Sequence, residues 1–441
     1  MRRKAILLTT LGVLALAGCE EKDPVLTGER LNVRDVLETR APAEGEAQTV
    51  SRAFSAPQMV NNANWTQSAV SPSVRTTNAA LSSAPQPLFS APIGAGDSRR
   101  LRLDAEPVVA DGRIFTMDAR SVVKATGLNG EALWSTDLTP PREKTSLGEG
   151  GGLAVGGGRL YVTSAYGELV ALDPATGAKL WTQEFGNTST GAPSYADGLV
   201  YAVSGDTTGW AVEAADGKVR WQLDGQGDVG NVAGGPAPAI GDQHVIFSYG
   251  SGTVQGAFRQ GGLRLWSSEL LGRRPGVTLA GFDDVTGDPV ISGDTVFAGN
   301  HSGRVAAMSV YTGERIWEAP YGAEGPMWPA GDSVFFVSDL NQLVRLDAAT
   351  GQEIWTADLP GYVQRRKPNK RRDSAYANMG PIMAGGRLIV AGSDGQLRAF
   401  NPADGTLVQT IDVPGGATTR PVVAGGTLYV VSKKGVLHAY R

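Results

Sequence analysis

A glycine turn followed four residues later by a fixed position occurs seven times in this chain, and six of those positions hold tryptophan. The series runs Gly130 to Trp134, Gly177 to Trp181, Gly217 to Trp221, Gly262 to Trp266, Gly313 to Trp317, Gly351 to Trp355 and Gly405 to Gln409. Successive copies stand 38 to 54 residues apart. A period of that size marks a repeat architecture, in which a unit too small to bury its own apolar face buries it against its neighbours.

One unit, residues 151–185 (GGLAVGGGRLYVTSAYGELVALDPATGAKLWTQEF), divides at 156–158, 165–167 and 173–177 into four short runs rich in Val, Leu and Tyr. Each run is bounded by residues that turns require, so each reads as a strand. Other copies open at Pro107, Pro289, Pro381 and Pro421. A four-stranded antiparallel sheet repeated radially is a propeller blade. The last copy supplies three strands before Arg441, and the segment 86–93 (QPLFSAPI) has the outer-strand pattern, with Phe89 at the aromatic position 45 residues ahead of Trp134. The sequence therefore predicts an all-β, eight-bladed β-propeller of four-stranded antiparallel blades, closed by an N-terminal strand that completes the last blade and leaves no long edge open. The regular tryptophans suit wedges between blades rather than cofactor stacking. Trp65, Trp210 and Trp328 lie outside that register.

Arg2, Arg3 and Lys4 precede an apolar run, residues 5–17, that ends in Leu-Ala-Gly-Cys at 16–19. A basic start and so short an apolar run read as a secretory signal, since a membrane span needs about 20 apolar residues. The ending has the form of a bacterial lipobox, with Cys19 as the lipidated residue. It is also the only cysteine, which excludes an intrachain disulfide and any cysteine metal site. Removing residues 1–18 takes three of the 40 basic residues and leaves 37 against 44 acidic ones, a net charge of −7. That balance does not suggest nucleic acid. The domain expectation is a signal peptide over 1–18, a flexible tether over 19–80 poor in aromatics, and the propeller over 81–441.

Residues for catalysis are scarce. His244, His301 and His438 fall in different blades without metal-ligand spacing, and no Gly-x-Ser-x-Gly elbow is present. The glycine-rich stretch 148–158 precedes a strand rather than a helix N-terminus, so it reads as a blade turn and not a phosphate cradle. Asp173, Asp216, Asp394 and Asp404 sit in hairpin turns where their carboxylates are expected to bond local backbone. Two insertions break the repeat. One brings Arg365, Arg366, Lys367, Lys370, Arg371 and Arg372 together, a cluster able to meet anionic headgroups or an acidic partner, or simply to remain solvated. The other, 270–290, combines apolar Leu279 and Phe282 with Asp283 and Asp284 between two blades, and loops on a rigid scaffold are where binding concentrates.

The units GRLYVTSAYGELVALDPATGAKLW and AGDSVFFVSDLNQLVRLDAATGQEIW resemble the quinoprotein-type propeller repeat. Two families carry it as eight blades, the pyrroloquinoline-quinone dehydrogenases and the BamB family of outer-membrane assembly lipoproteins. With the lipobox and the low-complexity tether, the mature chain resembles the BamB family over essentially its whole length. The resemblance implies a scaffold with no catalytic residue, cofactor or metal, held at the periplasmic face of the outer membrane by lipid, palmitate included, on Cys19. Glu20 and Glu21, where inner-membrane lipoproteins carry aspartate, agree with that destination. It further implies binding to BamA POTRA domains and other subunits of the BAM complex, and presentation of edges or loops to nascent outer-membrane proteins. Carried over by position, one family contact falls on Asp283 and Asp284. The other falls in the loop 225–238, where Val229 and Val232 are the apolar candidates and Ala233 stands in place of an expected arginine. A dehydrogenase of the quinone type would need adjacent cysteines, which a single Cys19 cannot supply. It and a ligand-sensing envelope propeller are the alternatives.

Overall fold

Alternation decides where each strand sits. The second strand of a repeat is apolar on both faces, as in Leu199–Ser204, which is buried throughout, whereas fourth strands such as Ala132–Asp137 and Lys179–Glu184 alternate exposed and half-buried positions. Strands covered on both faces go inside and alternating ones go to the rim. The computed structural model describes residues 52–98, 101–144, 150–189, 191–205, 207–225, 235–272, 285, 287–363 and 375–441. They form eight four-stranded antiparallel sheets, and no helix among the described residues. With strands lettered A to D from the axis outward, blades 1 to 7 span 108–137, 151–184, 194–224, 239–269, 290–319, 328–358 and 378–412.

Blade 8 takes its A, B and C strands from Val422–Ala424, Thr427–Ser432 and Val436–Tyr440, and its D strand from Pro87–Pro92. Phe89 pairs with Ala439 as Trp134 pairs with Ala125, which is the ring closure that the sequence predicts.

The tryptophans join blades. At every continuous junction the indole of one blade lies on the C–D glycine turn of the next. Gly177 has φ +74°, and a Cβ there would stand 2.5 Å from the Trp134 ring, so only glycine admits the contact. The same approach recurs at Gly217, Gly262, Gly313, Gly351 and Gly405. Each indole N–H also donates to a carbonyl in that neighbouring turn region, at 2.8 to 3.1 Å, from Trp134 on Pro174 to Trp355 on Pro402. The amphipathic indole thus fills a wedge and satisfies its one donor.

The glycine-rich stretch is not all turn. Gly151–Gly156 is strand A of blade 2, and Gly157 and Gly158 make the turn that follows. Innermost strands crowd one another near the axis: a Cβ on Gly152 would stand 2.5 Å from Ala192 of blade 3.

The expected tether differs from the structure over 52–80. Trp65, Ala69, Val70 and Ala79 are buried, and the segment meets strand A or its adjoining turn in every blade. Asn62 reaches Val423 of blade 8, Trp65 pairs with Val109 of blade 1, Thr66 accepts from Val155 of blade 2, and Gln67 bonds Tyr195 of blade 3. Ser73 reaches Ile240 of blade 4, Val70 accepts from Ile291 of blade 5, Arg75 donates to Pro329 of blade 6, and Ala79 pairs with Ala384 of blade 7. Trp65 stacks on Trp328, the rings 6.4 Å apart and 11° from parallel. Innermost strands have an unpaired edge, and this segment provides partners for it. It therefore packs without an apolar face of its own, and it closes the channel at the end that carries the A–B turns.

Candidate functional site

With one end plugged, the axial channel is a blind cup of about 630 Å³ to which all eight blades contribute lining residues. Gln67 and Ser68 of the plug lie at its floor, and the connections leading into the A strands, such as Glu106–Pro107 and Glu324–Pro326, form its walls. One network crosses it. Arg420, ahead of blade 8, pairs through Nε with Glu106 ahead of blade 1 and through Nη2, at 3.1 Å, with Asp288 ahead of blade 5. Ser68 donates to the same Asp288 oxygen at 2.8 Å and accepts from Arg420 at 3.2 Å, while the Ala237 amide holds the other oxygen at 2.7 Å. Blades 1 and 5 face each other across an eight-membered ring, so the network ties opposite walls through the plug. Burial disfavours charge on Arg420, but Glu106 and Asp288 outweigh it and raise the guanidinium above its ordinary range. Removing one member of such a partly buried cluster leaves the others uncompensated.

A second group runs along blade 6, from the connection before it to the junction with blade 7. Solvent reaches Glu324 through the mouth of the cup, yet the surrounding walls limit its hydration and push its carboxyl up to about 7, with the neighbouring Asp339 carboxylate adding to the rise. Asp339 accepts from the Gly322 amide at 3.0 Å. Asn378 donates through Nδ2 to Asn341 Oδ1 and Pro360 O, each at 2.9 Å, which leaves its buried Oδ1 without a partner among the described residues.

None of these cup residues is marked by a sequence motif. Glu106, Asp288 and Arg420 each stand immediately before a proline that opens a repeat, and only the ring closes the distance between them. Of the residues singled out from the sequence, His301 lines the cup. Cys19, Val229, Val232, Leu279, Phe282, Asp283, Asp284 and the cluster Arg365, Arg366, Lys367, Lys370, Arg371 and Arg372 lie outside the described residues. In chain order the last three groups belong to connections between one blade's D strand and the next blade's A strand. The turn aspartates mostly behave as expected: Asp173 accepts from the Ala175 and Thr176 amides at 2.8 and 2.9 Å, Asp216 from Lys218 and Asp404 from Thr406. Asp394 instead pairs with Arg398, four residues on, at 3.1 Å.

A family model described as "Outer membrane protein assembly factor BamB" matches residues 118–357 and 345–441. The chain belongs to the BamB family. Relatives carrying that description include the protein of Yersinia pestis, 22% identical over 74% of this chain and 81% of the relative, and that of Escherichia coli K12, 24% identical over 80% and 88%. The BamB of Moranella endobia is 26% identical over 54% of this chain, and the match spans 63% of that relative. Among solved structures, BamB from Moraxella catarrhalis superposes with a TM-score of 0.65 at 19% identity, over 81% of this chain and all of that one. Quinohemoprotein alcohol dehydrogenase from Comamonas testosteroni gives the same TM-score of 0.65 at 15% identity, over 86% and 81%. The backbone is common to BamB and to a quinone enzyme, so shape does not separate them.

Side-chain chemistry does. Pyrroloquinoline quinone is a tricarboxylate, and a cup that received it would need cations. Among the described residues, this cup is lined by Asp104, Glu106, Asp288, Glu324 and Asp339 against His301 and one guanidinium, Arg420, which two of those carboxylates hold. The described residues do not fit that cofactor.

Proposed function

We propose that this member of the BamB family is a non-enzymatic scaffold of the outer-membrane β-barrel assembly machinery. It is anchored through lipid on Cys19 at the periplasmic face of the outer membrane and binds the POTRA domains of BamA. The observation that carries the reading is the family match over residues 118–441. A rigid ring suits the role, because seven of its eight junctions are fixed by a buried or half-buried aromatic while the D–A connections are left to vary. Asp283 and Asp284 offer charge-assisted acceptors beside apolar Leu279 and Phe282, a mixture that fits a basic partner. Val229 and Val232 are the apolar candidates in the connection before, and the basic composition of 365–372 suits acidic partners or headgroups.

The rim adds a surface for nascent barrel strands. The residue before the ring aromatic, or before Gln409, is an exposed aliphatic in six blades: Leu88, Leu133, Leu180, Leu265, Ile316 and Val408. Each lies on a D strand whose outer edge is unpaired, where an extended segment can add by backbone hydrogen bonds and bury apolar side chains.

The test is the affinity of the full mature chain for a purified BamA periplasmic arm. Asp283→Arg combined with Asp284→Arg is expected to weaken binding at least tenfold while the ring stays folded, since loop substitutions cost little stability. Wild-type affinity in the double variant removes this contact, and no binding by the wild type removes the assembly reading.

A further inference from the structure

We propose that the seam between blades 7 and 8 holds a carboxylate-binding cleft, in which Arg387, Asn401 and Gln409 receive the anionic head of a ligand with a short apolar stem. The site stands on the seam alone and does not depend on the assembly role.

Space comes first. Elsewhere in the ring a C–D glycine turn lies against the ring aromatic of the blade before it, but blade 8 has no such turn. A cleft of about 500 Å³ opens there, between the A–B and C–D turns of blade 7 and Ser83 on the connection toward the closing strand. That volume lies within the range of small-molecule sites. Charge comes second. No described carboxylate lines the cleft, while Arg387 stands in its wall. Its half-buried guanidinium bonds only neutral oxygens, those of Ser82, Ser83 and Gln409. Burial pushes it below its ordinary range, and no described anion offsets the loss. Asp404, in the C–D turn alongside, is taken up by the amide and hydroxyl of Thr406. A partly buried cation left in this way attracts an anion into the cleft that it lines.

The neutral side chains point to the same ligand. Gln409 Oε1 accepts from Arg387 at 2.6 Å, which leaves Nε2 free to donate, and Asn401 Oδ1 accepts from the Ala403 amide at 3.0 Å, which leaves Nδ2. Neither nitrogen has a partner among the described residues, and neither is buried. Arg387 adds one N–H on Nη2, since three of its five are engaged and Nε is buried. Every one of these groups donates, so the ligand must accept, and a single guanidinium balances a single negative charge. A carboxylate has that charge and two accepting oxygens. Val408, 52% exposed, and Pro402 line the same cleft and give an alkyl stem its apolar surface.

The carboxylate can belong to a free small molecule or to a side chain on a docked protein. Two probes separate them when methyl NMR follows their titration into the full mature chain: butyrate, and acetyl-Gly-Glu-Gly-amide, which presents the same head from within a peptide. At least one is expected to shift Val408 to saturation, and butylamine, a cation of similar length, is not. Binding by butyrate points to a free ligand, and binding by the peptide alone to a protein-borne side chain. Asn401→Asp keeps the acceptor for the Ala403 amide and turns the free donor into a resident anion. It is expected to weaken binding about tenfold or more at an unchanged melting temperature. Arg387→Gln is expected to weaken it as much; should losing the bonds to Ser82 and Ser83 unfold the seam, Asn401→Asp decides. The proposal is overturned if neither carboxylate shifts Val408, if butylamine binds as well, if Asn401→Asp keeps the wild-type affinity, or if the shifts appear at distant Val212 instead of Val408.

Discussion

The junctions inside the ring and the seam where its two chain ends meet solve one packing problem with different chemistry. From blade 1 through blade 6, an indole lies on the glycine turn of the next blade and hydrogen-bonds to its carbonyl. Blade 7 faces blade 8, whose C and D strands come from opposite ends of the domain and so share no turn. The position facing it is Gln409, whose Oε1 accepts from Arg387 at 2.6 Å, and Arg387 in turn holds the carbonyls of Ser82 and Ser83 on the connection toward the closing strand. From blade 8 to blade 1 the aromatic returns as Phe89 against Gly130, without an N–H to donate. An aromatic at the ring position thus goes with a glycine turn across the junction. Where the turn is missing, so is the tryptophan.

The largest test breaks the seam itself. Replacing 87–92 with a Gly-Ser stretch of equal length keeps the plug connected but leaves Val436–Tyr440 as an open edge. We expect loss of cooperative unfolding, or aggregation by size exclusion; wild-type melting would mean that the seam contributes nothing. Next, Trp355→Ala, at a side chain 1% exposed, is expected to cost about 3–5 kcal/mol in denaturant titration. The half-buried Phe89→Ala should cost less, and equal costs would erase the distinction between junction and seam. Third, Gly177→Ala is expected to cost about 2 kcal/mol, and more than Gly158→Ala, because the two share nearly the same φ, +74° and +75°, while only Gly177 faces an indole. Equal losses would leave backbone strain as the whole effect. Last, Gln409→Trp should change stability by no more than about 0.5 kcal/mol, since no carbonyl awaits its indole. A gain above 1 kcal/mol would show that the strand, not the turn, sets the residue.

The ring was legible because its signals are local and repeated. A turn glycine, a strand alternation and an aromatic at fixed spacing recur in each unit, and even the shared blade follows from three strands at one end and a matching one at the other. The plug was not legible, for a physical reason. Residues 62–79 are rich in Ser, Asn, Thr and Ala and are held by backbone and side-chain bonds to all eight blades, so their composition is that of an open tether while their partners lie as far away as Val423. Trp65 and Trp328, the two tryptophans out of register that stack on each other, were the available sign. The cup's residues were invisible for a related reason. Arg420 and Glu106 are 314 residues apart, and no spacing in the sequence records a contact made by closing a circle.

Closure also fixes an order of events. The first strand of the ring to be synthesised, Pro87–Pro92, finds its partner in the last, and Ser90 meets His438 across 348 residues. The plug ahead of it cannot be fully bonded until every blade exists. A chain that emerges from its N-terminus therefore carries both segments unsatisfied through the whole of its synthesis, while the strands within each of blades 1 to 7 can pair from local contacts as they appear. The slow and vulnerable step is the final one, and a defect near Tyr440 would strand residues made hundreds of positions earlier.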